Sequence, residues 1–252
     1  MNILTKTEIN NFKKKGFIIK KNFFKKKYVK NILTEVKFIK RNDKSKKFYK
    51  YYEKSILDKK KSILVRVENF YKNNKLLTKV IDEKIINKIL YNILKSKAVL
   101  FKEKINFKPS GCRADLLHQD SQAGWNRYTK DFVNVLISLE KSTYKNGCLV
   151  FDISGNNSRK LIKKKMEPLN KKELNKPKFK KLLLGAGDVV FFNSYIPHGS
   201  SSNRSNKSRA QIYLTYNKLK DGNFRHKYIL EKLKTFPPNN LRSKTGNYSY
   251  KV

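Results

Sequence analysis

The most constraining feature of this chain is the spacing of its short apolar runs between Ala98 and Tyr216. Val99-Leu100-Phe101 opens a run that reaches Phe107 and stops at Pro109-Ser110-Gly111. Asp115–Asp120, Phe132–Leu139, Cys148–Ile153, Leu182–Leu184, Asp188–Phe192 and Gln211–Tyr216 follow, divided by Gly, Asn and Ser. Runs this short, rich in β-branched and aromatic residues and bounded by turn formers, are strands. Many such strands in succession close into a sandwich or barrel. In the first run, alternation places Lys102, Lys104 and Asn106 on one face and Phe101, Glu103, Ile105 and Phe107 on the other.

The first hundred residues read differently. Thr5-x-x-Glu8 before Ile9 and Phe12 is a capping box, Gly16 ends that helix, and Phe17-Ile18-Ile19 is a strand. Val29, Ile32, Leu33, Val36 and Ile39 form one face of an amphipathic helix, and Leu76–Leu94 reads as a second. The expected architecture is α+β and mainly β: a β-sandwich or barrel core with an N-terminal helical layer. No internal repeat or long linker divides residues 1–252, so one domain is expected. Lys160–Lys181 reads as a polar insertion or loop, and Thr235–Val252, with Tyr248 and Tyr250, as an irregular tail.

Lys and Arg outnumber Asp and Glu by 60 to 19, a formal charge of +41. Such a charge suits nucleic acid, but the Lys triplets at 13–15, 25–27, 59–61 and 163–165 are scattered rather than gathered on one helix or tail. The Lys, Asn and Ile enrichment fits an A/T-rich genome with a solvated lysine surface, so attraction to nucleic acid is expected to be non-specific. Two cysteines, Cys112 and Cys148, exclude a disulfide scaffold and a four-cysteine zinc site. Met1–Lys20 lacks the apolar core of a signal peptide and no run approaches a membrane span, so a cytoplasmic, non-membrane location is expected.

Chemistry concentrates at His118-Gln119-Asp120 and at His198. On a strand, residues i and i+2 share a face, which brings an imidazole and a carboxylate together. A second histidine completes the two-histidine, one-carboxylate set of non-haem Fe(II) oxygenases, which leaves positions open for O2 and a chelating cosubstrate. The plainer alternative is a strand histidine satisfied by its own aspartate. Arg209, eleven residues past His198, and Ser200, two past it, can hold the far carboxylate of a dicarboxylate. His226 reads as a surface residue, and the cysteines as small core residues.

Together with Asn146-Gly147-Cys148-Leu149-Val150, Gly187-Asp188-Val189-Val190-Phe191-Phe192 and the opening Phe12-x-x-x-Gly16-Phe17, these residues resemble the phytanoyl-CoA dioxygenase-like (PhyH) family over nearly the whole chain. The resemblance implies a double-stranded β-helix (jelly-roll, cupin-like) core and a dioxygenase using Fe(II), 2-oxoglutarate and O2 to hydroxylate an aliphatic C–H, giving succinate and CO2. It implies that His118, Asp120 and His198 ligate iron and that Arg209 with Ser200 holds the 2-oxoglutarate C5 carboxylate. Lys104, Arg66 and Gln119 fall where relatives contact cosubstrate. Asp120 favours hydroxylation over halogenation, because halogenases carry a small residue there. Thr215 stands where nucleic-acid demethylases carry a second arginine, which disfavours that branch. Gly155-Asn156-Asn157 departs from the family's Gly-Ser-His.

For the substrate pocket the candidates are Trp125 in the loop after the triad, Asn134 on a core strand, and Lys102 and Arg113 as anion binders. Trp125 is either an aromatic wall or a packing residue. A small anionic or zwitterionic molecule fits this set. The Leu100–Lys108 strand with Gln122-Ala123-Gly124-Trp125 looks like a PhyH subgroup that includes hydroxylases of 2-aminoethylphosphonate-like compounds. The alternative is a basic nucleic-acid-binding or catalytically silent protein on the same fold.

Overall fold

The computed structural model describes residues 3–42, 47–243, 245–246 and 248. Tyr250 lies outside them. The order of elements is α1 (Lys6–Lys15), β1 (Phe17–Lys20), α2 (Lys26–Arg41), β2 (Tyr49–Lys54), β3 (Ser62–Glu68), α3 (Lys75–Ile81), α4 (Lys84–Leu94) and β4 (Ala98–Phe107). Then come β5 (Asp115–His118), β6 (Phe132–Ser138), β7 (Leu149–Asp152), β8 (Phe179–Leu182), β9 (Val189–Asn193), β10 (His198–Ser200), β11 (Ala210–Lys218) and α5 (Arg225–Thr235).

The strands form two antiparallel sheets, ordered β1-β9-β6-β11-β4-β3-β2 and β5-β10-β7-β8. Together they make a double-stranded β-helix, a jelly-roll. Two apolar layers hold it together. Leu136, Val190 and Phe192 of the large sheet pack on Leu149, Phe151 and Leu182 of the small one. Val133, Val135, Ile137, Val189 and Phe191 turn to the other face and pack among Ile32, Val36, Ile39, Ile86 and Ile89 of the helices. Strand β6 is therefore buried on both faces along its whole length. The helical layer shields one side of the large sheet, and the site forms on the side facing the small one.

Local chemistry explains the helix ends. Thr5 and Glu8 make the expected capping box, and Gly16 closes α1 at φ 81°. The predicted helix over Leu76–Leu94 is broken into α3 and α4 at Asp82-Glu83. Leu77, Val80 and Ile81 are buried before the break and Ile86, Ile89 and Leu90 after it, while Ile85 is exposed. The apolar stripe slips in phase there, and one straight helix cannot bury both halves.

Three further differences bear on function. Lys102 pairs with Thr215 and Leu100 with Tyr216, so Phe101 is an extra residue, a β-bulge. Phe101 consequently leaves the face of Ile105 and packs on Trp125 and Phe132. The β2–β3 hairpin and α5 carry no clear period in the sequence, yet both wall the site. Strand β8 begins at Phe179, inside the expected loop, with exposed Lys180 and Lys181 at the sheet edge.

Candidate active site

Strand pairing creates the centre of the site. His118 ends β5, His198 begins β10, and the two residues are register partners. Their rings lie 4.4 Å apart. Strand β5 stops at His118, but Gln119 stays extended at φ −105° and ψ 132°, so Asp120 returns to the face of His118 as the first residue of a 3-10 turn. The Nε2 atoms of His118 and His198 lie 4.0 and 3.7 Å from the two Asp120 oxygens.

Each imidazole is fixed from behind. Nδ1 of His118 donates to the Leu116 carbonyl at 2.7 Å, and Nδ1 of His198 donates to the Ile196 carbonyl at 2.9 Å. A carbonyl only accepts, so both Nε2 lone pairs are left facing Asp120. Burial, with the neighbouring His198, pushes His118 down to about 4, which keeps it neutral and ready to ligate at neutral pH. Burial would raise Asp120, but its neighbours His198, Lys104, His118 and Lys102 outweigh it and hold the carboxyl below its ordinary value. One ligand atom from each residue falls within 4.8 Å of the others, which fits a single ion. Phe151 and Phe192 pack 5.9 and 5.5 Å from the His198 ring and keep that side dry.

Asn134 faces inward, as expected, but toward the ligand set rather than the open cavity. Its Nδ2 donates to Asp120 Oδ2 at 2.9 Å, and its Oδ1 accepts from the Thr215 hydroxyl at 2.6 Å. Asn134 therefore orients the carboxylate. Asn134→Leu is expected to weaken iron affinity by about 10- to 100-fold, as loss of such outer partners does. Titration of the apoprotein with Fe(II) checks this, and unchanged affinity would remove the positioning role.

A cavity of about 470 Å³ opens beside the triad. Arg66, Lys102, Lys104 and Trp125 all line it. Trp125 serves both readings at once: it packs on Phe101 and Phe132, and its face carries the Lys102 Nζ at 4.6 Å. The cation over the ring is the protein's own.

The remaining expected site residues divide. Gln119 does not line the cavity. Its amide donates to the Tyr195 carbonyl at 2.7 Å and the Lys160 carbonyl at 3.1 Å and accepts from Ile162 N at 2.9 Å, tying down the long loop. Arg113 also lies off the cavity, with Nε 3.0 Å from Glu53 of β2. Arg209 is buried behind the wall formed by Tyr213. It donates to the Gly147 carbonyl at 2.9 Å and to Gln211 Oε1. Gly147 sits at φ 75° with a would-be Cβ 2.4 Å from the Ser201 carbonyl, so only glycine brings that carbonyl to Arg209. Arg209 Nε and Gln211 Nε2 remain buried donors without acceptors among the described residues, which fits a carboxylate ligand. Ser200 donates to Asp115 at 2.5 Å and accepts from Lys108 Nζ at 2.6 Å.

Sequence reasoning missed several cavity residues. Tyr213 lies on β11, four residues past Arg209, which immediately precedes that strand, and strand alternation could have found it. Tyr228, Lys232 and Phe236 come from α5 and its end. The only signal was the pairing of Tyr228-Ile229 with Lys232-Leu233 at helical spacing.

The phytanoyl-CoA dioxygenase (PhyH) family profile matches residues 12–211. The chain belongs to the PhyH family. It is 32% identical over 250 residues to a 2-aminoethylphosphonate dioxygenase of the uncultured bacterium HF130_AEPn_1, covering 99% of this chain and 95% of that one. A methylphosphonate hydroxylase of Gimesia maris is 32% identical over 139 residues, 55% of this chain and 53% of that one. Among solved structures, EctD from S. alaskensis with 2-oxoglutarate and 5-hydroxyectoine superposes with a TM-score of 0.72 at 13% identity, covering 86% of this chain and 77% of that one. As a PhyH enzyme, this chain is a dioxygenase that uses iron, 2-oxoglutarate and O2. No helix among the described residues is long and apolar enough to cross a membrane.

Proposed function

We propose that this enzyme hydroxylates a small aminophosphonate, of the 2-aminoethylphosphonate type, at an aliphatic C–H. One observation carries the reading. The Lys102 and Lys104 ammoniums face the cavity with no hydrogen-bond or ion-pair acceptor among the described residues; aromatic faces are their neighbours, Trp125 at 4.6 Å and Tyr213 at 4.9 Å. Enclosed cations without acceptors are costly unless a ligand completes them. Five cationic side chains (Arg66, Lys102, Lys104, Arg127, Lys232) and two carboxylates (Asp115, Asp120) line the cavity. The charges of iron and of 2-oxoglutarate cancel, so the surplus persists in the loaded enzyme. A phosphate-like group carries about −1.5 to −2 at pH 7 and answers it. The full-length likeness to an aminophosphonate dioxygenase supports the same choice.

The residues divide the work as follows. His118, Asp120 and His198 hold iron, and Asn134 with Thr215 keeps Asp120 aimed at it. Arg209, with Gln211 Nε2 beside it, receives the C5 carboxylate of 2-oxoglutarate, because the expected partner Ser200 has its proton committed to Asp115, while Lys104, beside Asp120, steadies the anionic end near the metal. Lys102 takes the substrate. Bound there, iron would supply O2 activation, with one oxygen atom of O2 going to succinate as 2-oxoglutarate loses CO2 and the other to the substrate C–H as hydroxyl.

A succinate-release assay with 2-aminoethylphosphonate, methylphosphonate, β-alanine and taurine tests the proposal. Succinate is expected to track a phosphonate one-to-one, with the carboxylate and sulfonate analogues at background. Equal turnover of β-alanine, or none of any phosphonate, would sink it.

A further inference from the structure

The family profile ends at residue 211, and helix α5 begins at Arg225. This helix is nevertheless part of the cavity wall. It is pinned to the rest of the fold at three places, two of them on strands. Arg225 Nη2 donates to Glu103 of β4 at 2.8 Å. Glu231 accepts from Arg127 and Tyr128, beyond the triad loop. Lys232 pairs with Glu68 at the end of β3. The last contact sets Lys232 near Lys102: both line the cavity, and Tyr228, one turn earlier on α5, places its ring 5.7 Å from the Lys102 Nζ. Tyr228 is itself braced by Phe101, at 4.4 Å between ring centroids. The bulge that turned Phe101 inward is what provides that brace.

Resting on the phosphonate reading above, we propose that Lys232 of α5 and Lys102 of β4 form a two-lysine clamp for the phosphonate group. Glu68 holds Lys232 in position, and Tyr228 closes one side. Glu68 cannot neutralise this corner alone, because it also serves Arg66, at 3.7 Å. Two lysines suit a tetrahedral dianion, since each ammonium is a compact donor with no planar preference. The clamp lies at the opposite end of the cavity from the 2-oxoglutarate seat. Asn106 pairs with Gln211 beside Arg209, whereas Lys102 lies four residues back along β4, roughly 13 Å away at strand rise.

The electrostatics agree. Burial, then the charges of Lys104 and Lys232, pushes the Lys102 ammonium well below the usual lysine range. Burial takes Lys232 down to about 8 despite Glu68, with Arg66 pushing the same way. Glu68 moves to about 2, because Lys232, Arg66 and Lys102 together outweigh its burial. The carboxylate is over-supplied with cations, and the cations are short of an anion.

Calorimetry tests the clamp on two forms of the full chain. Wild type loaded anaerobically with Fe(II) and 2-oxoglutarate is titrated with 2-aminoethylphosphonate, and metal-free wild type with inorganic phosphate. Lys232→Met is compared with Lys232→Met/Glu68→Gln, which leaves no buried carboxylate stripped of its lysine. Both variants are expected to bind 2-aminoethylphosphonate and phosphate about 30-fold more weakly, the loss of one charge-assisted contact, with the 2-oxoglutarate KM unchanged. Phosphonate affinity within threefold of wild type in the double variant would overturn the clamp, as would an equal rise in the 2-oxoglutarate KM. If wild type turns over no phosphonate, the functional reading fails by itself. The clamp then stands only if phosphate binds wild type and is lost from both variants, and it falls if phosphate binds neither.

Discussion

Substituting His198 with alanine is expected to abolish turnover, by about 10³-fold or more, because the ion loses one of three protein ligands. The physical route is specific. His198 Nε2 faces Asp120 at 3.7 Å with no hydrogen-bond partner among the described residues, and its Nδ1 is already committed to the Ile196 carbonyl. Alanine therefore removes the ligand and, with it, the one hydrogen bond from Nδ1 to the Ile196 carbonyl. The strand pairing of β10 with β5 and β7 runs through the backbone and should survive. Anaerobic addition of Fe(II) and then 2-oxoglutarate should give the weak visible band of the chelate in wild type and none in this variant. His226→Ala is the matched control: His226 is exposed on α5, and its loss should leave iron binding and the band intact. A variant at 198 that keeps wild-type iron stoichiometry and band would show that the ion sits elsewhere.

The triad was legible in the sequence because it obeys a strand rule at short range. His118 and Asp120 share a face by alternation, and that relation survived the end of β5 because Gln119 stays extended. Their meeting with His198 needed the jelly-roll pairing, which no local pattern encodes and which the family motifs supplied. The same rule failed at Phe101, where one bulged residue inverted the expected face and moved an aromatic ring into the site. A bulge leaves no mark in the hydrophobic pattern, since Phe101 is apolar on either face. Gln119 and Arg113 show a different limit. Their residue types suit ligand binding, but their polar atoms are taken up by loop carbonyls and by Glu53. Competition of that kind is visible only once the long loop and the β2–β3 hairpin are in place. Helix α5 was missed because none of its residues is fully buried and it faces a cavity rather than a packed core. A helix of that kind has no apolar stripe to read.

The second large effect concerns Arg209. Arg209→Met is expected to raise the 2-oxoglutarate KM by about 100-fold, the loss of charge-assisted contacts worth roughly 1.5–3 kcal/mol each. The turnover number at saturating cosubstrate should change far less, because Arg209 touches neither the triad nor the substrate corner. The argument rests on burial: the side chain is 4% exposed, and its Nε and the adjacent Gln211 Nε2 have no acceptor among the described residues. A guanidinium kept in such a place is suited to a carboxylate. Arg209→Lys separates charge from shape. It keeps the cation but loses the planar fork, so it should recover part of the affinity and no more. Gly147 gives an independent handle, because its carbonyl aims the guanidinium from behind at 2.9 Å. Gly147→Ala would force a Cβ against the Ser201 carbonyl and tilt Arg209 without changing it, so its KM should rise in the same direction. A 2-oxoglutarate KM that stays within threefold of wild type in Arg209→Met would move the C5 carboxylate to other cations of the cavity. Lys104 would then be the first to test, since it stands over Tyr213 and beside Asp120.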